Sequence, residues 1–134
     1  MGAVLGFDYG IRKIGVAVGQ TLTRTATPLR TLPTRDDKPD WDAIGRLIRD
    51  WQPESLVVGL PYQMDDLEAP VAARARRFAR QLEGRYRLPV YLADERLTTR
   101  EAQRQLGREA RRDALKVDAV AARLILETWL CDRD

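Results

Sequence analysis

The chain has 134 residues, 44% of them hydrophobic, which is enough for one domain with a sizeable core but too short for two ordinary domains. It contains no histidine and one cysteine, which excludes Ser-His-Asp and Cys-His catalysis and zinc sites built on histidine or on several thiolates. Any hydrolysis must therefore use carboxylates, lysine, tyrosine or a metal ion held by oxygen atoms.

Positive charge is concentrated in one segment, although the formal net charge is only +3. From Ala72 to Lys116 there are 13 Lys and Arg residues against 6 Asp and Glu residues, and the rest of the chain is net negative. Such a block suits a polyanion, because the planar guanidinium group of arginine matches phosphate; the alternative is an arginine-rich solvated helix face. The sequence lacks both a membrane span and a signal-peptide pattern, so we expect a cytoplasmic protein with no membrane partner.

The predicted elements begin with two strands, 3–8 and 14–19, joined by a short loop into an antiparallel hairpin. A third strand is predicted over 26–32. Pro28 favours an edge position for this strand, because proline lacks the N–H group that a central strand must donate.

Helices and strands alternate in the rest of the chain. Two further strands are predicted at "SLVVGLP", a continuous apolar run typical of a central strand, and at "LPVYLADER". Asp40 is expected to cap the first helix, and Thr98 and Glu101 have the capping-box spacing. The predicted helices cover 41–51, 70–86, 99–106 and 114–130.

This order predicts an α/β fold with a mixed five-stranded sheet flanked by helices. Three antiparallel strands come first, and two strands reached through helical crossovers complete the sheet in parallel. The arrangement resembles the ribonuclease H-like fold. We expect residues 1–134 to form a single domain of this class.

Acidic residues fall at positions that converge in such a sheet. Asp8 ends the first strand, and Asp94 and Glu95 end the last one, where open parallel sheets bind their ligands. Asp118 interrupts a small and apolar helix face that can approach the sheet closely. Three neighbouring carboxylates repel one another unless a cation intervenes, and Mg²⁺ or Mn²⁺ prefers oxygen ligands. Asp8, Glu95 and Asp118 are therefore the predicted metal ligands and catalytic residues.

Each of these residues also has a purely structural interpretation. Asp8 could cap the following turn, Glu95 could pair with a nearby arginine, and Asp118 could stabilise the positive end of its helix. Asp94 falls on the strand face opposite Glu95 and is assigned a supporting or capping role.

Four segments occur in order along nearly the whole chain: "GFDYGIRKIGVAV", "VVGLP", "DERLTTREA" and "KVDAVAARLIL". Together they resemble the YqgF-type ribonuclease H-like proteins, a bacterial family of pre-16S rRNA nucleases also described as Holliday junction resolvases. The resemblance implies a metal-dependent nuclease, a hydrolase acting on ester bonds, whose acidic triad falls on Asp8, Glu95 and Asp118. It also implies a role in ribosome biogenesis, in processing the 5′ end of 16S rRNA.

One loop departs from the family pattern. After "GLP" the family usually has an asparagine followed by Met-Asp-Gly, whereas this chain has "YQMDD", with Gln63 and Asp66 in the Asn and Gly places. Loss of the glycine changes the backbone freedom of a loop beside the expected site.

Basic residues are expected to hold the phosphates of the substrate, mostly without reading bases. The candidates are Arg12, Lys13, Arg96, Arg111, Arg112 and Lys116. Three of them, Arg12, Lys13 and Lys116, could also be ordinary surface cations. The expected partner is RNA, including pre-16S rRNA on the ribosome, or branched DNA, with the protein acting as a monomer or homodimer.

Three other functions fit parts of the sequence. A resolvase of four-way DNA junctions would use the same residues. An actin-like ATPase or sugar kinase shares the first motif but needs two such domains to enclose its nucleotide. A non-catalytic RNA- or ribosome-binding module would leave the three acidic residues without a use.

Overall fold

Five strands and three helices are present in the part of the chain that the computed structural model describes, residues 2–10, 12–36, 38–60, 70–94 and 117–132. In chain order they are β1 (Ala3–Tyr9), β2 (Lys13–Gln20), β3 (Thr25–Pro33), α1 (Trp41–Trp51), β4 (Ser55–Leu60), α2 (Pro70–Tyr86), β5 (Val90–Asp94) and α3 (Val117–Asp132). The predicted helix over 99–106 lies outside the described residues.

The strands form one mixed sheet in the order β3-β2-β1-β4-β5. The pairs β1–β2 and β2–β3 are antiparallel, whereas β1–β4 and β4–β5 are parallel. This confirms the predicted fold class. Pro28 lies in the edge strand β3, as predicted, and the register between β2 and β3 shifts between Val16 and Ala17.

One face of the sheet packs against α1 and α2 through aromatic side chains. The ring of Phe7 meets that of Phe78 edge to face, with centroids 5.5 Å apart, and Trp41 stacks on Phe78 at 5.7 Å. The guanidinium of Arg85 lies 4.2 Å from the centre of the Trp41 ring, a cation–π contact that holds the end of α2 against the start of α1.

The predicted cap of α1 is confirmed. The backbone N–H of Ala43 donates a hydrogen bond of 3.1 Å to Oδ1 of Asp40. This bond satisfies one of the N–H groups that a helix start leaves without an intrahelical partner.

The other face of the sheet packs against α3 at unusually short range. A Cβ atom built on Gly6 would lie 3.0 Å from Cβ of Leu126, and one built on Gly19 would lie 2.8 Å from Cδ1 of Leu130. Glycine is therefore favoured at Gly6, where the crowding atom is a Cβ, whereas at Gly19 the crowding atoms are the ends of leucine side chains that can rotate. No helix among the described residues is long and apolar enough to cross a membrane.

The close contact at Gly6 predicts an opposite outcome for two chemically identical substitutions. Gly6→Ala is expected to lower the free energy of unfolding by about 1–3 kcal/mol, because Leu126 and its helix must move away from the sheet. Gly84→Ala, in α2, is expected to raise it by about 0.5–1 kcal/mol, because no atom lies within 4 Å of the added methyl and alanine favours a helix. Urea denaturation of both variants measures this, and equal effects would contradict the packing described above.

Candidate active site

Asp8 is the half-buried residue of an otherwise buried strand, one position before the end of β1. Gly15 of β2 lies directly opposite it on one side and Gly59 of β4 on the other, and Ala93 of β5 follows Gly59. Directly opposite residues in a sheet project to the same face. The carboxylate of Asp8 therefore has no large side chain directly opposite it on either neighbouring strand.

Asp8 belongs to the face of the sheet that α3 covers. Along β1 it alternates with Gly6 and Val4, and Val4 is buried in a cluster with Ala122 and Leu126 of α3. Successive strand residues point to opposite faces, so these three positions of β1 share one face.

The direction of α3 follows from the contacts of its last turns. Trp129 packs against Tyr91 near the start of β5, with ring centroids 5.3 Å apart, and Leu130 lines the same cavity as Ser55 at the start of β4. The end of α3 therefore lies at the amino ends of the parallel strands. Its 16 residues extend about 24 Å, and the 7 residues of β1 extend about 23 Å. Asp118, in the first turn, is thus at the carboxyl end of β1.

The helical spacing predicts that position 118 belongs to the stripe of α3 that meets the sheet. It precedes Ala122 by four residues and Ile125 by seven, spacings that place residues on one face of a helix. Both residues are buried in the cluster that includes Val4 and Val57. The structure therefore places the first turn of α3 at the same end of the sheet as Asp8, and the helical spacing predicts that position 118 faces the sheet there.

The third predicted ligand lies outside the described residues. Asp94, the last residue of β5, pairs with Leu60 in the register, and Glu95 is the next residue in the chain. Among the described residues, no three or more Asp, Glu, His or Cys side chains form a group that could hold a metal ion. The complete ligand set therefore stays a prediction.

Two of the predicted phosphate-binding residues are described. Arg12 and Lys13 are exposed at the start of β2, and the carbonyl oxygen of Arg12 accepts a 2.8 Å hydrogen bond from the N–H of Thr34. The other four, and the loop with Gln63 and Asp66, lie outside the described residues; the four are Arg96, Arg111, Arg112 and Lys116.

Sequence analysis missed one polar side chain in the row of paired residues that runs across the strands through Asp8. Thr31 of β3 pairs with Gly15, so it projects to the face that α3 covers. Its Oγ1 atom is buried and has no hydrogen-bond partner among the described residues. Sequence alone could not place it there, because the irregular register of β3 decides which of its residues face α3.

The structure also forms a small pocket on the opposite face of the sheet from Asp8, and one of its lining residues, Tyr9, directly follows Asp8 in the chain. Its volume is about 20 Å³, and its lining consists of Tyr9, Arg74, Arg77 and Gln81. The helical spacing of the last three residues was the signal that could have identified them. A larger cavity of about 420 Å³ lies at the far end of the sheet, where Ser55 and Trp129 line it, and is separate from Asp8.

Comparisons of the sequence identify its relatives. The family model described as RuvX, Holliday junction resolvase, matches residues 2–132. A protein of Methylococcus capsulatus is 53% identical over 129 residues, covering 93% of this chain and 85% of the relative. One from Azotobacter vinelandii is 48% identical over 133 residues, covering 97% and 94%. Both carry the description "Putative pre-16S rRNA nuclease".

Comparisons of the structure identify proteins with the same fold. RuvC of T. thermophilus, in complex with a Holliday junction substrate, superposes with a TM-score of 0.61 at 18% identity, covering 96% of this chain and 94% of RuvC. The Fowlpox virus resolvase, in complex with Holliday junction DNA, gives a TM-score of 0.55 at 12% identity, covering 96% of each chain. The predicted ribonuclease H-like fold is therefore confirmed.

The buried hydroxyl of Thr31 predicts that its removal stabilises the protein. Thr31→Val keeps the shape of the side chain and is expected to raise the free energy of unfolding by about 1 kcal/mol, because a buried hydroxyl without a partner is costly. Thr27→Val, at an exposed position of the same strand, controls for the preference of valine for strands. Chemical denaturation of both variants tests this. Destabilisation by Thr31→Val alone would mean that the hydroxyl has a partner.

Proposed function

Because the chain belongs to the RuvX family of Holliday junction resolvases, we propose that it is a nuclease that hydrolyses phosphodiester bonds with a divalent metal ion. The observation that carries this proposal is the position of Asp8. It is a carboxylate on the central strand of the sheet, with glycine on both sides and the first turn of α3 at the same end. Carboxylate oxygens are the ligands that a hard divalent cation prefers, so Asp8 is suited to bind one in this position.

The residues present fit a hard divalent ion. The chain has no histidine and one cysteine, so the donors available at this edge are oxygen atoms, the ligands that Mg²⁺ and Mn²⁺ prefer. Asp8, Glu95 and Asp118 would hold the ion, and Gly15 and Gly59 place no side chain directly opposite Asp8. When bound, such an ion lowers the pKa of a coordinated water and stabilises the charge that develops on phosphate.

The protein itself supplies position and charge. Asp8 is fixed on a strand that pairs on both sides, so its carboxylate is held in place before substrate arrives. Arg12 and Lys13 stand at the end of the β1–β2 hairpin, where they would contact phosphates near the bond to be cut. Four residues outside the described ranges would extend this contact: Arg96, Arg111, Arg112 and Lys116.

We assign RNA as the substrate, at the 5′ end of pre-16S rRNA. Two relatives at 48% and 53% identity, matched over nearly the whole length of this chain, are described as "Putative pre-16S rRNA nuclease". The 5′ end is what the family resemblance of the sequence implies. The solved proteins bound to Holliday junctions are 18% identical or less and support the fold alone.

The family description favours one alternative, cleavage of four-way DNA junctions. Such a junction is two-fold symmetric and would require two active sites, and hence a homodimer, whereas trimming one RNA end requires a single site.

Neutralising each proposed metal ligand is expected to abolish cleavage while leaving the protein folded and able to bind RNA. Asp8→Asn, Glu95→Gln and Asp118→Asn should each lower the Mg²⁺-dependent cleavage rate by about a hundredfold or more, because the charge stabilisation that a metal ion provides is worth several kcal/mol. Cleavage of a pre-16S 5′ leader RNA and Mn²⁺ binding by calorimetry are measured together. Asp50→Asn, an exposed acid in α1, is the control that should change neither. Wild-type rates in all three variants would refute the assignment.

A competition experiment separates RNA from branched DNA. The wild-type protein is expected to cleave the leader RNA at lower protein concentration than a four-way DNA junction of similar length. Both are labelled with different dyes in one reaction, and molecular mass is measured by light scattering under the same conditions. Preferential cleavage of the junction by a dimeric protein would support the resolvase alternative instead.

A further inference from the structure

The small pocket on the α2 face of the sheet is built from one buried ring and three polar side chains. Tyr9 forms its base, is 7% exposed, and packs against Phe78 with ring centroids 5.3 Å apart. Arg74, Arg77 and Gln81 of α2 line the rest of it. The position of the base is therefore fixed by the core, and the three polar residues belong to one helix.

The size and chemistry of this pocket select an anionic oxygen atom. Its volume of about 20 Å³ is close to the space that one water molecule needs, so it can admit a single oxygen but not a base or a sugar. Two of the residues lining it are arginines, whose guanidinium groups only donate hydrogen bonds and match phosphate in shape and charge. The amide of Gln81 can add another donor.

The position of the pocket relates it directly to Asp8. Tyr9 follows Asp8 in β1, so the two residues lie about 3.3 Å apart along the strand and face opposite sides of the sheet. Asp8 faces α3, whereas Tyr9 faces α2. A nucleic-acid backbone that reaches both must pass around the carboxyl edge of the sheet.

We propose that the pocket formed by Tyr9, Arg74, Arg77 and Gln81 binds one non-bridging phosphate oxygen of the substrate strand, at a phosphate other than the one cleaved. The inference rests on the proposed nuclease function, because it takes nucleic acid as the ligand. It also specifies the form of the substrate. A backbone that bends around the edge of the sheet favours a single-stranded or locally unpaired form, because sharp bending of a duplex costs free energy.

The salt dependence of RNA binding tests for this contact. Binding of a short single-stranded RNA is measured by fluorescence anisotropy in EDTA, so that no cleavage occurs, over a range of salt concentrations. The double variant Arg74→Ala/Arg77→Ala is expected to lower the slope of log K against log salt by about 0.7, the loss of one phosphate contact. Arg46→Ala/Arg49→Ala is the control, because these two arginines are exposed on α1 with the same spacing. The control should leave the slope unchanged.

Two further variants separate a discrete site from general attraction and from misfolding. Arg77→Ala alone, at an exposed position, should fold and still reduce affinity, whereas Arg77→Lys should restore it only in part, because lysine keeps the charge but not the planar fork. Arg80 lies on the same helix but does not line the pocket. If Arg80→Ala lowers the slope as much as the pocket variants do, α2 acts as a diffuse cationic surface and the proposal is wrong.

A scan with neutral phosphates identifies the contact on the substrate. Oligonucleotides carrying one methylphosphonate at a time are bound to the wild-type protein and to the Arg74→Ala/Arg77→Ala variant. A methylphosphonate at one particular phosphate, other than the one that is cleaved, should weaken binding to the wild-type protein and have no effect on binding to the variant. A position that weakens both equally, or no such position, would overturn the proposal.

The outcomes distinguish this inference from the proposed nuclease function. All pocket measurements are made on binding without cleavage, whereas the nuclease function is tested by cleavage in the metal-ligand variants. If the pocket variants bind RNA as the wild-type protein does while cleavage depends on Asp8, only the proposed phosphate contact is rejected. A phosphate-specific contact in a protein that never cleaves RNA would reject only the nuclease function.

Discussion

A carboxylate on the central strand of a sheet is the constraint on which the rest of this structure depends. Burial of an uncompensated charge is strongly unfavourable, so Asp8 can be accommodated only where water or a counter-charge reaches it. The fold meets this requirement in two ways. Asp8 stands one residue from the end of β1, and its two neighbours in the sheet are glycines. The remainder of β1 is buried, so the strand that carries the charge is also the centre of the core.

The features that sequence predicted correctly are those with a local cause. Continuous apolar runs identify the central strands, the missing N–H group of Pro28 identifies an edge, and the Asp40 side chain marks the start of α1. The chain direction of each strand then follows from the lengths of the connections, because a short loop reverses the chain and a helix returns it. The convergence of Asp8 with the end of β5 could be anticipated in the same way.

The features that sequence could not supply depend on register and on interatomic distance. A shift of one residue moves every side chain of a strand to the other face, so the presence of Thr31 in the row of Asp8 depends on the irregular pairing of β3. The pocket at Tyr9 likewise requires the rotation of α2 about its axis, which the packing of Phe78 sets. Helical spacing alone shows that Arg74 and Arg77 share one side of α2, but it does not show that they lie beside the ring of Tyr9.

The contact between Leu126 and the glycines of β1 and β2 has a consequence for how this core can change. In most cores a larger side chain is absorbed by rotation of its neighbours, but at Gly6 the nearest atom is a Cβ, which no rotation can move. Enlargement at Gly6 is therefore accommodated only by glycine at position 126 or by a shift of α3 away from the sheet. Because α3 also carries position 118, a shift of the helix that admits a larger residue at position 6 would move position 118 relative to Asp8.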